Sequence, residues 1–375
     1  MSRIVLVGLG HAHLHVVEHA ARLREAGAQV ALVDDGRFWY SSIASGLLAG
    51  QYEPADDVIE AAPFARGCGV DYVEGRAASL DREARQLVLE SGRRVEYDVV
   101  SFNVGSGVTP PFPVAGGVTV HGAKPIEGLL DLRESLRADM RAGRTPRVVT
   151  VGGNHSGCEL TCNLAALARA EGGSLDLLLL HGGTELVANE PPGARRKMRA
   201  VLAGYGVDVR DGVDIERVEE GRLVLASGGR VAFDHLLLAT GLSAAPVMRR
   251  LGLDHSARGL RVTPALHAPD DDRVFAIGDC ADIRGPGVPD GGLPKVGVFG
   301  VRAAPVLLDN LVARATGEPL RSYKPQRVWF ASQNLGDGTG LASYGHLWWR
   351  GRSALAIKRT IDRRFMARYR ALYAD

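Results

Sequence analysis

The sequence predicts an α/β protein built from two copies of one unit. Short apolar strands run into glycine-bearing turns at two places, 8–10 and 152–157. The chain also matches itself twice, in the same order. RIVLVGLGHAHLH (3–15) faces RVVTVGGNHSGCE (147–159) at an offset of 144. LVLESGRRVEYDVVSFNVG (87–105) faces LVLASGGRVAFDHLLLATG (223–241) at an offset of 136, with nine identities in nineteen ungapped positions. Glycine, at 47 of 375 residues, stands well above its usual share of ~7%. It gathers at strand ends, where tight turns and close backbone approach are needed.

Each unit follows one order. A first strand (4–7 or 148–151) enters the glycine turn, and a helix follows, about 11–26 or about 156–171. Gly27 or Gly172-Gly173 ends that helix. A second strand comes next, 30–33 or 175–180, and later a hairpin turning at Ser91-Gly92 or Ser227-Gly228. An apolar last strand ends at Gly105 or Gly241.

Bulk composition excludes several classes. With 45 Lys+Arg against 43 Asp+Glu the chain is nearly neutral, so no nucleic acid partner is expected. Cys68, Cys158, Cys162 and Cys280 form no C-x-x-C pair and no zinc or disulfide framework, which points to a reducing, cytoplasmic compartment. Only four apolar residues separate Arg3 from Gly8, too few for a secretory leader. No apolar run reaches the ~18 residues of a membrane span.

The turns carry the chemistry. Gly8 permits the tight turn and Gly10 lets the backbone approach a pyrophosphate, at a helix N-terminus that favours anions. Asp34 ends the second strand, where a carboxylate accepts hydrogen bonds from ribose hydroxyls; Asp35 is a weaker candidate. These features predict dinucleotide binding in the first unit, with His11 as a further donor to a pyrophosphate oxygen. His13 replaces the third glycine and should hold helix and strand further apart. The second turn, Gly152-Gly153-Asn154-His155-Ser156-Gly157, keeps its outer glycines but has Asn154 in the middle. His181, not an acid, ends its second strand, and no Arg follows it directly. The two units are thus read as Rossmann-like dinucleotide-binding domains. His11, His15 and His19 share one helix face, read as packing or solvated, and no metal is expected.

Arg273–Asp282, RVFAIGDCAD, resembles the signature of FAD-containing pyridine nucleotide oxidoreductases, as does Ala239-Thr240-Gly241. SFNVGS (101–106) matches the latter motif poorly. GLGHAHLHVV (8–17), SGLLAGQYEP (45–54), KPIEG (124–128), LPKVGVFGVRAAPVLLDNL (293–311), YKPQ (323–326) and IDRRFM (361–366) are similar to segments of type II NADH dehydrogenases and of the flavoprotein domain fused to some selenide, water dikinases. The resemblance implies two nested domains: an FAD domain of 1–115 and 255–320, a nicotinamide nucleotide domain of 116–254, and a C-terminal segment of 321–375. It implies FAD contacts at Gly8, Gly10, His11, Ala12, Asp34, Asp35, Ser42, Gly105, Ser106, Gly278 and Asp279. Lys295 and Val298 would lie by the flavin ring. NAD(P)H contacts would fall at Gly152, Gly153, Asn154, Ser156, Gly157, His181 and Gly241. Lys295 and Glu159 become the catalytic candidates, although Glu159 also fits a first-turn helix carboxylate.

No cysteine pair stands where the disulfide reductases carry one, so Cys158, Cys162 and Cys280 are read as packing. Arg302-Ala303-Ala304-Pro305 replaces the Gln-bearing quinone motif of the type II enzymes. The expected function is therefore hydride transfer from NAD(P)H to FAD, with electrons passing to a quinone or another small acceptor. Two alternatives stand beside it: a donor that is a reduced sulfur or selenium compound, and a flavin-binding module without catalysis. The basic, aromatic tail from Gly345 suits either an anionic membrane surface or docking on the FAD domain or a homodimer partner.

Overall fold

A computed structural model describes residues 1–373. The last two residues of the expected C-terminal segment lie outside the described residues. Two parallel sheets organise the chain. The first runs His267–Ala268, Asp271–Ala276, Val99–Phe102, Ser2–Val7, Ala28–Asp34, Asp71–Glu74, parallel except for the edge pair His267–Ala268 and Asp271–Ala276. The second runs His121–Gly122, His235–Leu238, Arg147–Val151, Asp176–Leu180, Asp208–Arg210, parallel throughout.

The repeat read from the sequence recurs in the register. Val7 pairs with Val33 on one side and Phe102 on the other. Val151 pairs with Leu180 and Leu238. Each unit also carries a three-stranded antiparallel meander, from Ala77 to Glu96 and from Ile215 to Ala232. Gly92 and Gly228 sit at the same corner of the two meanders, each with φ near +83°, a conformation that glycine adopts without strain.

Parallel strands have both faces covered, so they read as apolar runs. Ile4, Leu6, Val100 and Phe275 are fully buried in one core cluster, and Val149, Leu180 and Leu236 in another. Truncating one such Leu to Ala costs about 2–5 kcal/mol. The first helix departs from the expected single run of 11–26. It divides into His11–Glu18 and Ala20–Glu25 at His19, whose φ/ψ of −104°/20° leaves the helical region. Gly297–Thr316 packs across it, with Gly297 against the His11 ring. A last meander, Phe330–Gly351, leads into helix Arg352–Arg370.

Phe365, Met366 and Tyr369 of that helix pack on the first unit, as the docking alternative expected. Its polar face is also partly internal. Lys358 and Asp362 form a buried ion pair at 2.9 Å that grips Ser42 and Tyr40.

Candidate functional site

The carboxyl ends of the first sheet's strands open into a cavity of about 590 Å³. Such an end is where ligands bind in open parallel sheets, and the volume suits a small-molecule cofactor. Its floor is the turn Gly8–Gly10 with His11. Asp34, Asp35 and Arg76 close one end. Asn103 to Ser106, Gly278, Asp279 and Lys124 form the wall, with Val296, Gly297 and Gly300 at the start of the long helix.

Asp34 is held in place by two backbone donors, Leu9 N–H at 2.7 Å and Gly36 N–H at 2.8 Å. Burial raises its carboxyl to about 6 despite those hydrogen bonds. Asp35 pairs with Arg76 Nε at 2.7 Å. Asp279, partly exposed, also lines the cavity. Burial works against its charge, but the Lys124 ammonium and the Ser106 hydroxyl, each 2.8 Å from Oδ2, hold it below the usual range. Its sequence position gave no hint of Lys124, which comes from 155 residues away.

His11 lines the cavity with its ring among Phe38 at 5.0 Å, Tyr40 at 5.6 Å and Phe365 at 5.6 Å. Burial pushes its pKa down to about 4, so it is neutral at neutral pH. Ala12 is buried beneath the turn. Its N–H and that of His13 both donate to Asn103 Oδ1, at 2.9 and 3.2 Å. Asn103 Nδ2 donates in turn to the Ile277 carbonyl at 2.8 Å. This one side chain ties the glycine turn to two strand ends, which is why SFNVGS departs from the Ala-Thr-Gly pattern. A Cβ at Gly10 would lie 2.4 Å from Asn103 Oδ1. Gly10 is therefore required by Asn103 whether or not a phosphate is near.

His13 is likewise explained. Its buried ring is neutral, pushed down to about 4 by desolvation. Nδ1–H donates to the Gly8 carbonyl at 2.6 Å, so Nε2 accepts from the Ser101 hydroxyl at 2.9 Å. The small Ser101 on the last strand accommodates the ring.

Several expected residues are elsewhere. Lys295 does not line the cavity: its ammonium donates to the carbonyls of Arg258, Asp279 and Ala281. Burial lowers it to about 8. It braces the backbone of Asp279, and its charge helps to hold that carboxyl low. Ser42 is turned to Asp362 and Lys358, and its neighbour Ser41 lines the cavity. Val298 is one residue removed from the lining, which Val296, Gly297 and Gly300 supply. Glu159 lies outside the cavity as well. It accepts from Ser45 Oγ at 2.7 Å and Asn334 N–H at 2.9 Å, and burial raises its carboxyl above the usual range.

At the second turn Asn154 Oδ1 caps the helix by accepting from Gly157 N–H at 3.0 Å, and its Nδ2 donates to the Ala239 carbonyl at 2.6 Å. A Cβ at Gly157 would meet the Gly152 carbonyl at 1.9 Å, and one at Gly153 would meet the His181 ring at 2.7 Å. His181 Nε2 bonds Asp211 at 2.6 Å, and Arg199 shares that carboxylate. Ser156 is exposed, and open space lies around the left-handed Gly241.

The four cysteines are free thiols, and the cavity lining contains none of them. Burial pushes Cys158 up to about 12 and raises Cys162 and Cys280 as well, which keeps each protonated.

A family model for pyridine nucleotide-disulphide oxidoreductases matches residues 2–298. The chain belongs to that family. It is accordingly an oxidoreductase with FAD as its cofactor and NAD(P)H as the family's nucleotide. Among curated relatives, ferroptosis suppressor protein 1 of Homo sapiens is 24% identical over 287 residues, 73% of this chain and 72% of that one. An NADH dehydrogenase-like protein of Mycobacterium tuberculosis is 26% identical over 303 residues, 76% and 74% of the two chains. Among solved structures, the sulfide:quinone oxidoreductase of Aquifex aeolicus superposes with a TM-score of 0.84 at 16% identity, covering 99% of this chain and 92% of that chain. NDH2 of Plasmodium falciparum in complex with NADH gives 0.82 at 13% identity, covering 98% and 97%. Those two likenesses concern the fold.

The cavity fits the family's FAD. Its lining carries two carboxylates, buried Asp34 and partly exposed Asp279, each suited to hydroxyl groups. Left-handed Gly105 lines the same cavity, with nothing within 4 Å of its would-be Cβ.

Proposed function

We propose that this member of the family passes a hydride from NAD(P)H to FAD held in the first unit, and electrons onward to a small acceptor, a quinone among them, without a dithiol relay. The observation that supports this most is a cofactor-sized cavity lined by Asp34, Asp279 and Lys124 and by none of the four thiols. Bound FAD would supply the two-electron chemistry, and the protein supplies position and charge.

Asp34 would hold the adenosine ribose and Asp279 the ribityl hydroxyls, with Gly8, Gly10 and His11 facing the pyrophosphate. Lys124 adds a cation beside Asp279. Neutral His11, packed on Phe38 and Phe365, would keep water from that end of the turn. In the second unit, Gly152, Gly153, Asn154, Ser156, Gly157 and Gly241 would hold the nicotinamide nucleotide, with His181 at its ribose. We assign 1–115 with 255–320 to the FAD domain and 116–254 to the nucleotide domain. Glu159, behind Ser45, is a positioning residue in this reading. His181 in place of an acid favours a second reading, in which the donor is a reduced sulfur or selenium compound.

Among the described residues, no helix is long and apolar enough to cross a membrane. Exposed Ile357 and Ile361 on the basic C-terminal helix, with Leu347 and Trp348 on the adjacent hairpin, would rest on an anionic lipid surface. In co-sedimentation with anionic vesicles, Ile357→Glu/Ile361→Glu should stay in the supernatant while the wild type pellets. Equal recovery removes the membrane contact from the account.

The test of the main reading is an anaerobic titration of the yellow protein with NADH and then NADPH. Rapid bleaching by one nucleotide supports the reading and names the donor. A flavin that neither nucleotide reduces moves the donor to sulfur or selenium.

A further inference from the structure

Helix His11–Glu18 and the break that follows it carry a second cluster, outside the cofactor cavity. The sequence there is His15-Val16-Val17-Glu18-His19. Spacings of three and four residues bring side chains together on one helix face. One ligand atom each from His15, Glu18 and His19 lies within 4.8 Å of the others. His15 Nδ1 is 3.8 Å from Glu18 Oε2. The two rings stand 4.2 Å apart, centroid to centroid.

The tautomer of His19 is also set. Its Nδ1–H donates to the His15 carbonyl at 2.9 Å, which leaves the Nε2 lone pair free. Metal-bound histidines habitually donate their other ring N–H in this way. All three residues are partly exposed, so an ion can enter from solvent.

We propose that His15, Glu18 and His19 form a surface site for a divalent transition-metal ion of the Zn²⁺ class. Two imidazoles and a carboxylate are a donor set that such an ion takes, with one position left for water. Glu18 already has a partner. Arg368 of the C-terminal helix holds it with two hydrogen bonds, of 2.7 and 2.6 Å. The ion therefore competes with Arg368 for Glu18, and binding is reversible. Arg368 lies one turn beyond Phe365, which packs on His11. Metal binding thus loosens the end of the helix whose inner face reaches the cofactor turn.

The probe is Zn²⁺ alone, in equilibrium dialysis against the FAD-loaded full chain with metal analysis. The wild type should take up about one ion per chain, as a three-ligand site does. His15→Ala/His19→Ala should lose that uptake while keeping its FAD content and circular dichroism. Arg368→Gln should tighten binding by about fivefold, the most that an exposed ion pair is worth. Glu18→Gln should weaken it. Zn²⁺ should also speed hydrogen exchange in the last turn, near 366–370, in the wild type and not in the double variant. No uptake by the wild type, or unchanged uptake in the double variant, overturns the site. Unchanged affinity in both Glu18→Gln and Arg368→Gln overturns the competition.

Discussion

The two glycine turns solve one packing problem from opposite sides. In each, an Asn side chain bridges the turn and the end of the last strand. In the first unit it comes from the strand: Asn103 reaches the Ala12 and His13 N–H groups. In the second it comes from the turn: Asn154 reaches the Ala239 carbonyl. By the repeat offsets, Gly10 matches Asn154 and Asn103 matches Ala239. The small and the large residue have changed places. His13 with Ser101 likewise matches Gly157 with Leu237. A glycine missing from a pattern is therefore not by itself a sign of decay, because the partner position can take up the difference.

The comparison breaks hardest at Gly10. Gly10→Asn puts two Asn side chains in one space and should cost about 3 kcal/mol, at the upper end for overpacking. Adding Asn103→Ala recreates the second unit's arrangement and should recover much of that loss in urea unfolding. No recovery would mean that the two turns are not interchangeable solutions.

Single deletions come next. Asn103→Ala leaves two buried N–H donors and the Ile277 carbonyl without their partner and should cost about 2–3 kcal/mol. Asn154→Ala removes a helix cap and one strand contact, and should cost about 1 kcal/mol. Equal losses would erase the asymmetry.

The His13 imidazole sharpens the contrast through pH. Its folded-state pKa is depressed from 6.5 to about 4, so the unfolded chain binds the proton more readily. Its contribution is fully present above pH 6.5 and is lost as pH falls toward 4, by roughly 3 kcal/mol in total. His11 and His15 titrate in the same window. His13→Gln should therefore reduce, not abolish, the slope of stability between pH 6.5 and 4. An unchanged slope would mean that His13 is not held neutral.

The strands, the meanders and both glycine turns were legible because they rest on local pattern: apolar runs, turn glycines and an internal repeat. Asp34 was legible as a strand-end carboxylate, and Asp279 through the resemblance of RVFAIGDCAD to the family signature. Side-chain direction was not. Lys295 sits beside a recognisable motif, yet its ammonium is claimed by three carbonyls, one of them Arg258, 37 residues away. Ser42 was drawn off by Asp362, 320 residues distant. Lys124 opens the KPIEG segment, but its role was hidden for the converse reason, since only the fold brings it to Asp279. The apolar bulk of the C-terminal helix left two arrangements open, because composition does not say which partner covers a face. Glu18, between His15 and His19 in the sequence, was overlooked when an acidic partner for the histidines was sought.

The central claim is that the first unit holds FAD and the second does not. The direct measurement is FAD affinity by fluorescence titration in the wild type, Asp34→Asn and His181→Asn, which change the matching strand ends. Loss of a charged acceptor should weaken FAD by about tenfold or more in Asp34→Asn, with His181→Asn unchanged. Full affinity in Asp34→Asn, or flavin loss in His181→Asn, would contradict the account.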